Sequence, residues 1–417
     1  MVFKLGIEVG KVDWNPMPIP FSLPLIDDDV IAEVNDALTV TGWLTTGPKV
    51  RLLEAEISAL TGTPVLCVNS WTSGAMLMLR WYGIGPGDEV IIPAYTYSAT
   101  ALCAMNIGAT VVMVDVDDDF TISPEKLRAA ITPRTKAVIP VDIGGWPADY
   151  DSIRAIVESA RDGFVPATPR QATLGRPLIV SDAAHSLGAV YRGQPNGQWA
   201  DATVFSLHSV KNVTTGEGGA IAINLPDSFD LDAELVFLKA FSLNGQNKSA
   251  FEKNQTGGWR YDIVDQGLKV NMPDLNAAVG LAQIRKYESL LLPDRKAKFD
   301  LYQKAFAQDD WAILPPARDE NHDSSCHLYM LRIAGANEDR RDRIIAHLSA
   351  AGIGVNVHYI PMAMLTLFRT RGYNIADYPK TFELYENEIT LPLYNTLTEE
   401  QVAEVIAGVR EAVAETA

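Results

Sequence analysis

From about residue 64 onward, short runs that are apolar almost throughout alternate with stretches of helical periodicity. The runs are Pro64 to Asn69 (PVLCVN), Glu89 to Ile92, Thr110 to Asp115 (TVVMVD), Lys136 to Val141, Pro177 to Ser181 and Ala202 to Ser206. Gly219 to Asn224 (GAIAIN) adds one more, and Thr72 to Tyr82 reads as a helix after the first. A strand that is apolar on both faces must be covered on both, so the pattern predicts an α/β protein with a mostly parallel central sheet. Ligands of such sheets gather at the carboxyl ends of the strands. Polar motifs just past a strand end are therefore the first places to look for chemistry.

The charge balance removes one class of function. Lys and Arg number 35 against 52 Asp and Glu, a formal net charge of -17. That surface is ill suited to a nucleic-acid backbone. Hydrophobic residues at 47% and charged residues at 21% describe a chain able to bury a large core without disulfides or metals. The three cysteines, Cys67, Cys103 and Cys326, form no CxxC pair, which speaks against a disulfide framework or a zinc site and for a reducing compartment. Charged residues interrupt Met1 to Asn15, so no signal-peptide core is expected there, and no later run is long enough to span a membrane. A cytoplasmic protein with no bound metal is the expectation. Ala160 to Arg176 reads as a surface loop, and Asp274 to Leu291 as one long helix leading out of the sheet. Beyond it, Cys326 to Ile333, Arg341 to Ala351 and Gln401 to Glu415 suggest a smaller α+β unit. The expected division is 1–285 for a large domain with an amino-terminal arm, and 286–417 for the small one.

Four strand ends carry candidate chemistry. Lys211 follows the run Ala202 to Ser206 and precedes the Gly-rich turn Gly216 to Gly219. A lysine desolvated in such a crevice loses its proton readily and can form a Schiff base with a carbonyl. Asp182 closes PLIVS and opens DAAHS. It is either a helix cap or the carboxylate beneath a pyridine ring, and His185 is either a core histidine or a pocket wall. Ser70-Trp71-Thr72 joins a strand to a helix start, where free amides and the helix dipole favour an anion. In Pro93-Ala94-Tyr95-Thr96-Tyr97, an aromatic at the strand end either stacks on a planar ligand or packs in the core.

Taken in order, Ser-x-Thr before a helix, PAYTY, DAAHS and SLHSVKNVTTGEGG resemble one family, the DegT/DnrJ/EryC1/StrS pyridoxal-phosphate-dependent sugar aminotransferases of fold type I. Thr41 to Pro48 (TGWLTTGP) is similar to that family's amino-terminal active-site loop, and Gly267 to Leu281 to its hinge. His358-Tyr359-Ile360-Pro361 and Leu391-Pro392-Leu393-Tyr394 resemble its carboxyl-terminal pattern, so the likeness runs over about residues 17 to 415. The chain departs from the family at Trp71, where a small residue is usual, and at Lys269 and Asn271, where asparagine and arginine are common.

The resemblance implies that Lys211 carries pyridoxal 5'-phosphate covalently and later moves the proton. Asp182 would pair with the ring nitrogen, Tyr97 stack on the ring and His185 sit near its phenolic oxygen. The amides of Trp71 and Thr72, with the Thr72 and Ser206 hydroxyls, would hold the phosphate, and Lys269 or Asn271 would reach it across a homodimer. Glutamate would be the amino donor and a keto-sugar, nucleotide-linked, the acceptor, in a ping-pong reaction. Thr46, His358 and Tyr359 would touch substrate, and Lys253 and Arg260 would face its diphosphate, with Trp259 stacking on a base. A cyclitol acceptor, a lyase or dehydratase of the same fold, and a non-catalytic regulatory binding protein are the alternatives. Some dehydratase relatives carry histidine in place of the lysine, and the intact Lys211 speaks against that branch.

Overall fold

The computed structural model describes residues 17–254 and 259–417; Met1 to Asn15 and the middle of the Glu252 to Tyr261 loop fall outside them. Two helices, α1 (Asp28–Asp36) and α2 (Pro48–Thr61), precede the first strand. Strands β1 (Val65–Val68), β2 (Glu89–Pro93), β3 (Thr110–Val114), β4 (Thr135–Val138) and β5 (Leu178–Asp182) follow. A short hairpin of β6 (Val190–Tyr191) and β7 (Gln194–Pro195) leads to β8 (Ala202–Ser206) and β9 (Gly219–Ile223). Seven of these form one sheet in the order β1-β9-β8-β5-β4-β2-β3. Every pairing between β8 and β3 is parallel, while β9 runs antiparallel to both β1 and β8.

β9 departs from its neighbours for a topological reason. A parallel return to the strand beside β8 needs a crossover that carries the chain back along the sheet, usually as a helix. The chain instead turns back directly through residues 207–218, so β8 and β9 pair as neighbours. That turn carries Lys211 and leaves it at the carboxyl edge of the parallel strands.

Helix α3 (Trp71–Trp81) and helix α4 (Ala99–Met105) pack on one face of this sheet, where Leu77, Met78, Val90, Ile92, Val180 and Val204 are buried together. The other face is closed by α2 and the helix Asp274–Ile284, through Leu53, Ile57, Phe205 and Leu281. Both faces being covered explains the unbroken apolar strands. A buried carboxylate joins these parts: Asp274 accepts from the amides of Gly47 (2.8 Å), Lys49 (3.1 Å) and Val50 (3.0 Å), capping α2 from a helix more than two hundred residues away.

A second sheet, β10 (Ala312–Ile313), β12 (Tyr329–Ile333) and β13 (Glu388–Leu391), is antiparallel, and β11 (His322–Asp323) pairs with β6. Helices Glu338–Ala350 and Glu399–Glu415 cover the second sheet over a core of Tyr302, Leu331, Ile344, Val405 and Val409. Ile19 belongs to this core, bridging in parallel to Ile353.

Two elements differ from the sequence expectation. The helix from Asp274 does not run to Leu291: it stops at Ile284, and a five-residue π turn, Tyr287–Leu291, links it to the helix Leu292–Phe306. The break falls at Lys286, whose backbone (φ -114°, ψ 9°) leaves the helical region, and Pro293 accounts for the π turn, because its ring would crowd the carbonyl of residue 289 in α geometry. The Ala160 to Arg176 segment holds a short helix, Pro169–Leu174, with Gln171 wholly buried, so it is packed structure and not a plain surface loop.

Candidate functional site

The carboxyl ends of β1, β2, β5 and β8 meet at one edge of the sheet, and a cavity of about 690 Å³ lies against them. Its lining includes Trp71 and Thr72 after β1, Tyr97 after β2, Asp182 and His185 after β5, and Ser206 and Lys211 after β8. His358 and Tyr359 close it from the carboxyl-terminal part of the chain. Nine sequence candidates, scattered over nearly three hundred residues, thus share one space.

The anion end is built by α3. Ser70 is the N-cap, its hydroxyl accepting from the Ser73 amide at 3.1 Å. The amides of Trp71 and Thr72 belong to the first turn, have no intrahelical acceptor and sit at the positive end of the dipole. The glycine turn holds this end in place. A Cβ on Gly219 would lie 2.6 Å from the Ser70 carbonyl carbon and 2.8 Å from the Trp71 nitrogen. Gly219→Ala should therefore displace the start of α3, costing about 1–3 kcal/mol of stability. Thermal unfolding with and without added phosphate ester checks this: a lower Tm and a smaller shift on ligand addition are expected.

Asp182 is enclosed, with one donor on each carboxylate oxygen: the Thr100 hydroxyl at 2.7 Å and the Ala184 amide at 3.2 Å. Thr96 completes a short chain by meeting Thr100 at 2.9 Å. Burial outweighs these bonds and the nearby Lys211 charge, and pushes the Asp182 carboxyl up to about 7. The same desolvation brings Lys211 down to about 8, against the pull of Asp182. Lys211 is closed off by protein yet half-exposed toward the cavity, and among the described residues no side-chain hydrogen bond ties down its Nζ.

The histidine roles follow from fixed donors. The Gly144 amide donates to His185 Nδ1 at 3.1 Å, so the neutral ring keeps its proton on Nε2 and donates to the Tyr359 hydroxyl at 3.1 Å. Burial and the Lys211 charge hold His185 far below its usual range. It is thus a neutral donor here and not a proton acceptor. Tyr97 is 59% exposed and its ring lies 5.6 Å from that of Tyr359.

Trp71 contributes to the cavity lining while its side chain is buried. It is 5% exposed, packed in the core beside the sheet, and its indole nitrogen has no partner among the described residues. Thr46, Lys269 and Asn271 lie outside the cavity lining and form their own cluster. Lys269 Nζ donates to Asn271 Oδ1, Asn271 Nδ2 to Thr46 Oγ1 at 2.6 Å, and Thr46 Oγ1 to the Met272 carbonyl at 2.7 Å. Lys253 and Arg260 are also outside the lining, over the rings of Tyr261 (4.5 Å) and Trp259 (5.0 Å) respectively.

Sequence reading missed three contributors. Thr100 holds Asp182 from the first turn of α4. Asn212, next to Lys211, donates to the Tyr287 hydroxyl at 3.2 Å and the Ser325 carbonyl at 3.0 Å and meets His327 Nδ1 at 2.8 Å. His327 in turn lines the cavity with its ring 4.5 Å from that of His185. A histidine ahead of the apolar strand Tyr329–Ile333 was the one local signal for it.

The sequence matches the model of the DegT/DnrJ/EryC1/StrS aminotransferase family over residues 24–410. It is 37% identical over 402 residues to the spore coat polysaccharide biosynthesis protein SpsC of Bacillus subtilis, covering 95% of this chain and 97% of that one. A provisionally named sugar aminotransferase of Streptococcus pneumoniae, solved in its PMP-form, superposes with a TM-score of 0.92 at 43% identity, over 96% of this chain and 100% of that one. Helicobacter pylori PseC, an aminotransferase of pseudoaminic acid biosynthesis, superposes with a TM-score of 0.82 at 25% identity, over 95% and 99%.

Proposed function

Because the chain belongs to the DegT/DnrJ/EryC1/StrS aminotransferase family, we propose that it is a pyridoxal-phosphate enzyme moving an amino group from L-glutamate to a nucleotide-linked keto-sugar. The observation that carries this reading is a half-exposed lysine and an enclosed carboxylate lining one cavity with a helix N-terminus. The residues fit the cofactor. Asp182 is a carboxylate that burial alone leaves short of positive charge, and a protonated ring nitrogen supplies it. The Trp71 and Thr72 amides, with the Thr72 and Ser206 hydroxyls, suit a phosphate, and Tyr97 suits the ring face.

When bound, the cofactor supplies an electron sink for the bond broken beside the substrate nitrogen. Asp182 would pair with the ring nitrogen and favour its protonated form. Lys211, with its ammonium brought down to about 8, has an accessible neutral form, and its Nζ would take the α-proton of glutamate and hand it to the bound cofactor, so that the donor is left oxidised. His185 orients by its Nε2–H through Tyr359 and carries no proton between substrates. Glutamate leaves as 2-oxoglutarate, and the acceptor carbonyl leaves as an amine.

One cavity serves both substrates, so double-reciprocal plots of rate against glutamate at several keto-sugar concentrations should be parallel. Intersecting lines would count against the reading. A homodimer belongs to it. Exposed apolar side chains along α1 and the segment after it (Ile31, Leu38, Val40 and Leu44, with Val40 at 75%) support a second copy there. Lys269 or Asn271, both outside their own cavity, is assigned to the neighbouring copy's phosphate, and Lys253 and Arg260 to the substrate diphosphate. The division at residues 285 and 286 and a cytoplasmic location are part of the same proposal; no helix among the described residues is long and apolar enough to cross a membrane.

A further inference from the structure

Behind the cavity wall lies a polar chain that the proposed reaction does not use. Glu388, the first residue of β13, is wholly buried. Its Oε2 accepts from the His358 amide at 3.0 Å, and its Oε1 meets the Thr390 hydroxyl. Thr390 Oγ1 lies 2.9 Å from His358 Nδ1. Phe21 stacks on the His358 ring at 5.4 Å, and His358 lines the cavity. With Nδ1 turned to Thr390 and one face covered, the Nε2 edge is the polar edge left for a ligand.

A hydroxyl has one proton, which orders the whole chain. With Glu388 ionised, Thr390 donates to Glu388, His358 Nδ1–H donates to Thr390, and Nε2 offers a lone pair. With Glu388 protonated, each bond reverses: Glu388 donates to Thr390, Thr390 donates to Nδ1, and the ring carries its proton on Nε2. We infer that Glu388 is a positioning residue which, through Thr390, decides whether His358 accepts from or donates to a hydroxyl of the sugar substrate. This rests on the reading that a sugar enters this cavity.

The surroundings keep both arrangements within reach. Burial pushes the Glu388 carboxyl up to about 8, while burial and the Lys211 charge hold His358 neutral. Arg341, from the helix Glu338–Ala350, acts on Glu388 through space and lowers its pKa, but its guanidinium makes no bond to that carboxylate: Nη1 donates to the Tyr385 carbonyl at 2.8 Å and to the Glu388 main-chain carbonyl at 3.4 Å, and Nε to Asp342 at 2.6 Å. Arg332 stands opposite Glu388 in the ladder and lies 5.8 Å from the Phe120 ring centroid. Tyr95 and Tyr359, the remaining titratable neighbours, are both held protonated by burial.

The test is Glu388→Gln. The His358 amide needs an acceptor, so the new side chain turns its carbonyl there and its NH2 to Thr390, which imitates the protonated glutamate. Lys211 titrates in the same range as Glu388, so rates alone would mix the two. Proton-detected NMR of nitrogen-15-labelled histidine reads the tautomer directly in the holoenzyme, where the six histidines are few enough to assign with a His358→Gln control. The wild type should pass from Nε2–H to Nδ1–H as pH rises through Glu388 titration, and Glu388→Gln should show Nε2–H throughout. KM for the keto-sugar should change roughly tenfold, the weight of one hydrogen bond, with the glutamate half-reaction unaltered. Should the glutamine variant not fold, Thr390→Val should abolish the pH dependence of the tautomer and Thr390→Ser retain it. One tautomer at every pH in all variants, or an equal loss in both half-reactions, overturns the inference. Absence of any reaction with keto-sugar would sink the proposed substrate while leaving the tautomer measurement to decide the relay.

Discussion

Lys211→Ala should lower turnover by about 10²–10⁴-fold or more, the span attached to a positioned proton-transfer group, and should remove the yellow colour of a lysine-linked cofactor. Neither His185 nor Tyr359, which line the same cavity, can take over. His185 has Nδ1 filled by the Gly144 amide and is held neutral, and Tyr359 is held protonated by burial. The fold should survive, since Lys211 Nζ makes no side-chain hydrogen bond among the described residues and faces the cavity. Circular dichroism and thermal unfolding indistinguishable from wild type, together with lost activity, are expected. An alanine variant that turns over at more than a tenth of the wild-type rate would remove the lysine from the chemistry.

Asp182→Asn should act in opposite directions on activity and stability. Turnover should fall on the order of 10²-fold or more, as for the loss of one preorganised charge at a developing opposite charge. In the cofactor-free protein the native state keeps the Asp182 proton up to about 7, while the unfolded chain releases it near the ordinary carboxyl value of 3.8. The native state therefore binds more protons in that window, and stability falls as pH rises through it. An asparagine has no charge to desolvate and can still accept from Ala184 and donate to Thr100. The cofactor-free variant should thus unfold at a higher temperature than cofactor-free wild type at pH 8, with the gap closing toward pH 4. Adding the cofactor should reverse the order at pH 8. A variant less stable than wild type at both pH values without cofactor would show that Asp182 is a structural carboxylate and not one waiting for a cation.

Asp182 and Lys211 were legible as site candidates because their signals are local. Asp182 and Lys211 each end or follow an apolar strand, and strand ends are where an α/β sheet collects ligands. The supporting groups were not legible, because their partners are distant in sequence. Thr100 meets Asp182 across 82 residues, Tyr359 meets His185 across 174, and Asn212 meets Ser325 across 113. Periodicity cannot register such pairs, since each residue alone looks like an ordinary helix or loop residue. Glu388 is an intermediate case. A carboxylate opens the run EITL, and only the closure of β13 against the His358 segment gives it a partner. Trp71 shows a further limit. The sequence places a large ring beside the phosphate position, and packing decides that it turns into the core.

Four of the cavity's walls come from strand ends and one from the segment carrying His358 and Tyr359, so the account stands or falls on a cofactor held at Lys211 and emptied by an amino donor. The visible absorbance of the purified protein, recorded before and after L-glutamate with no sugar present, tests that directly. A yellow band that bleaches with glutamate, and is missing in Lys211→Ala, is the predicted result. A protein that stays colourless after saturation with pyridoxal phosphate would contradict the account.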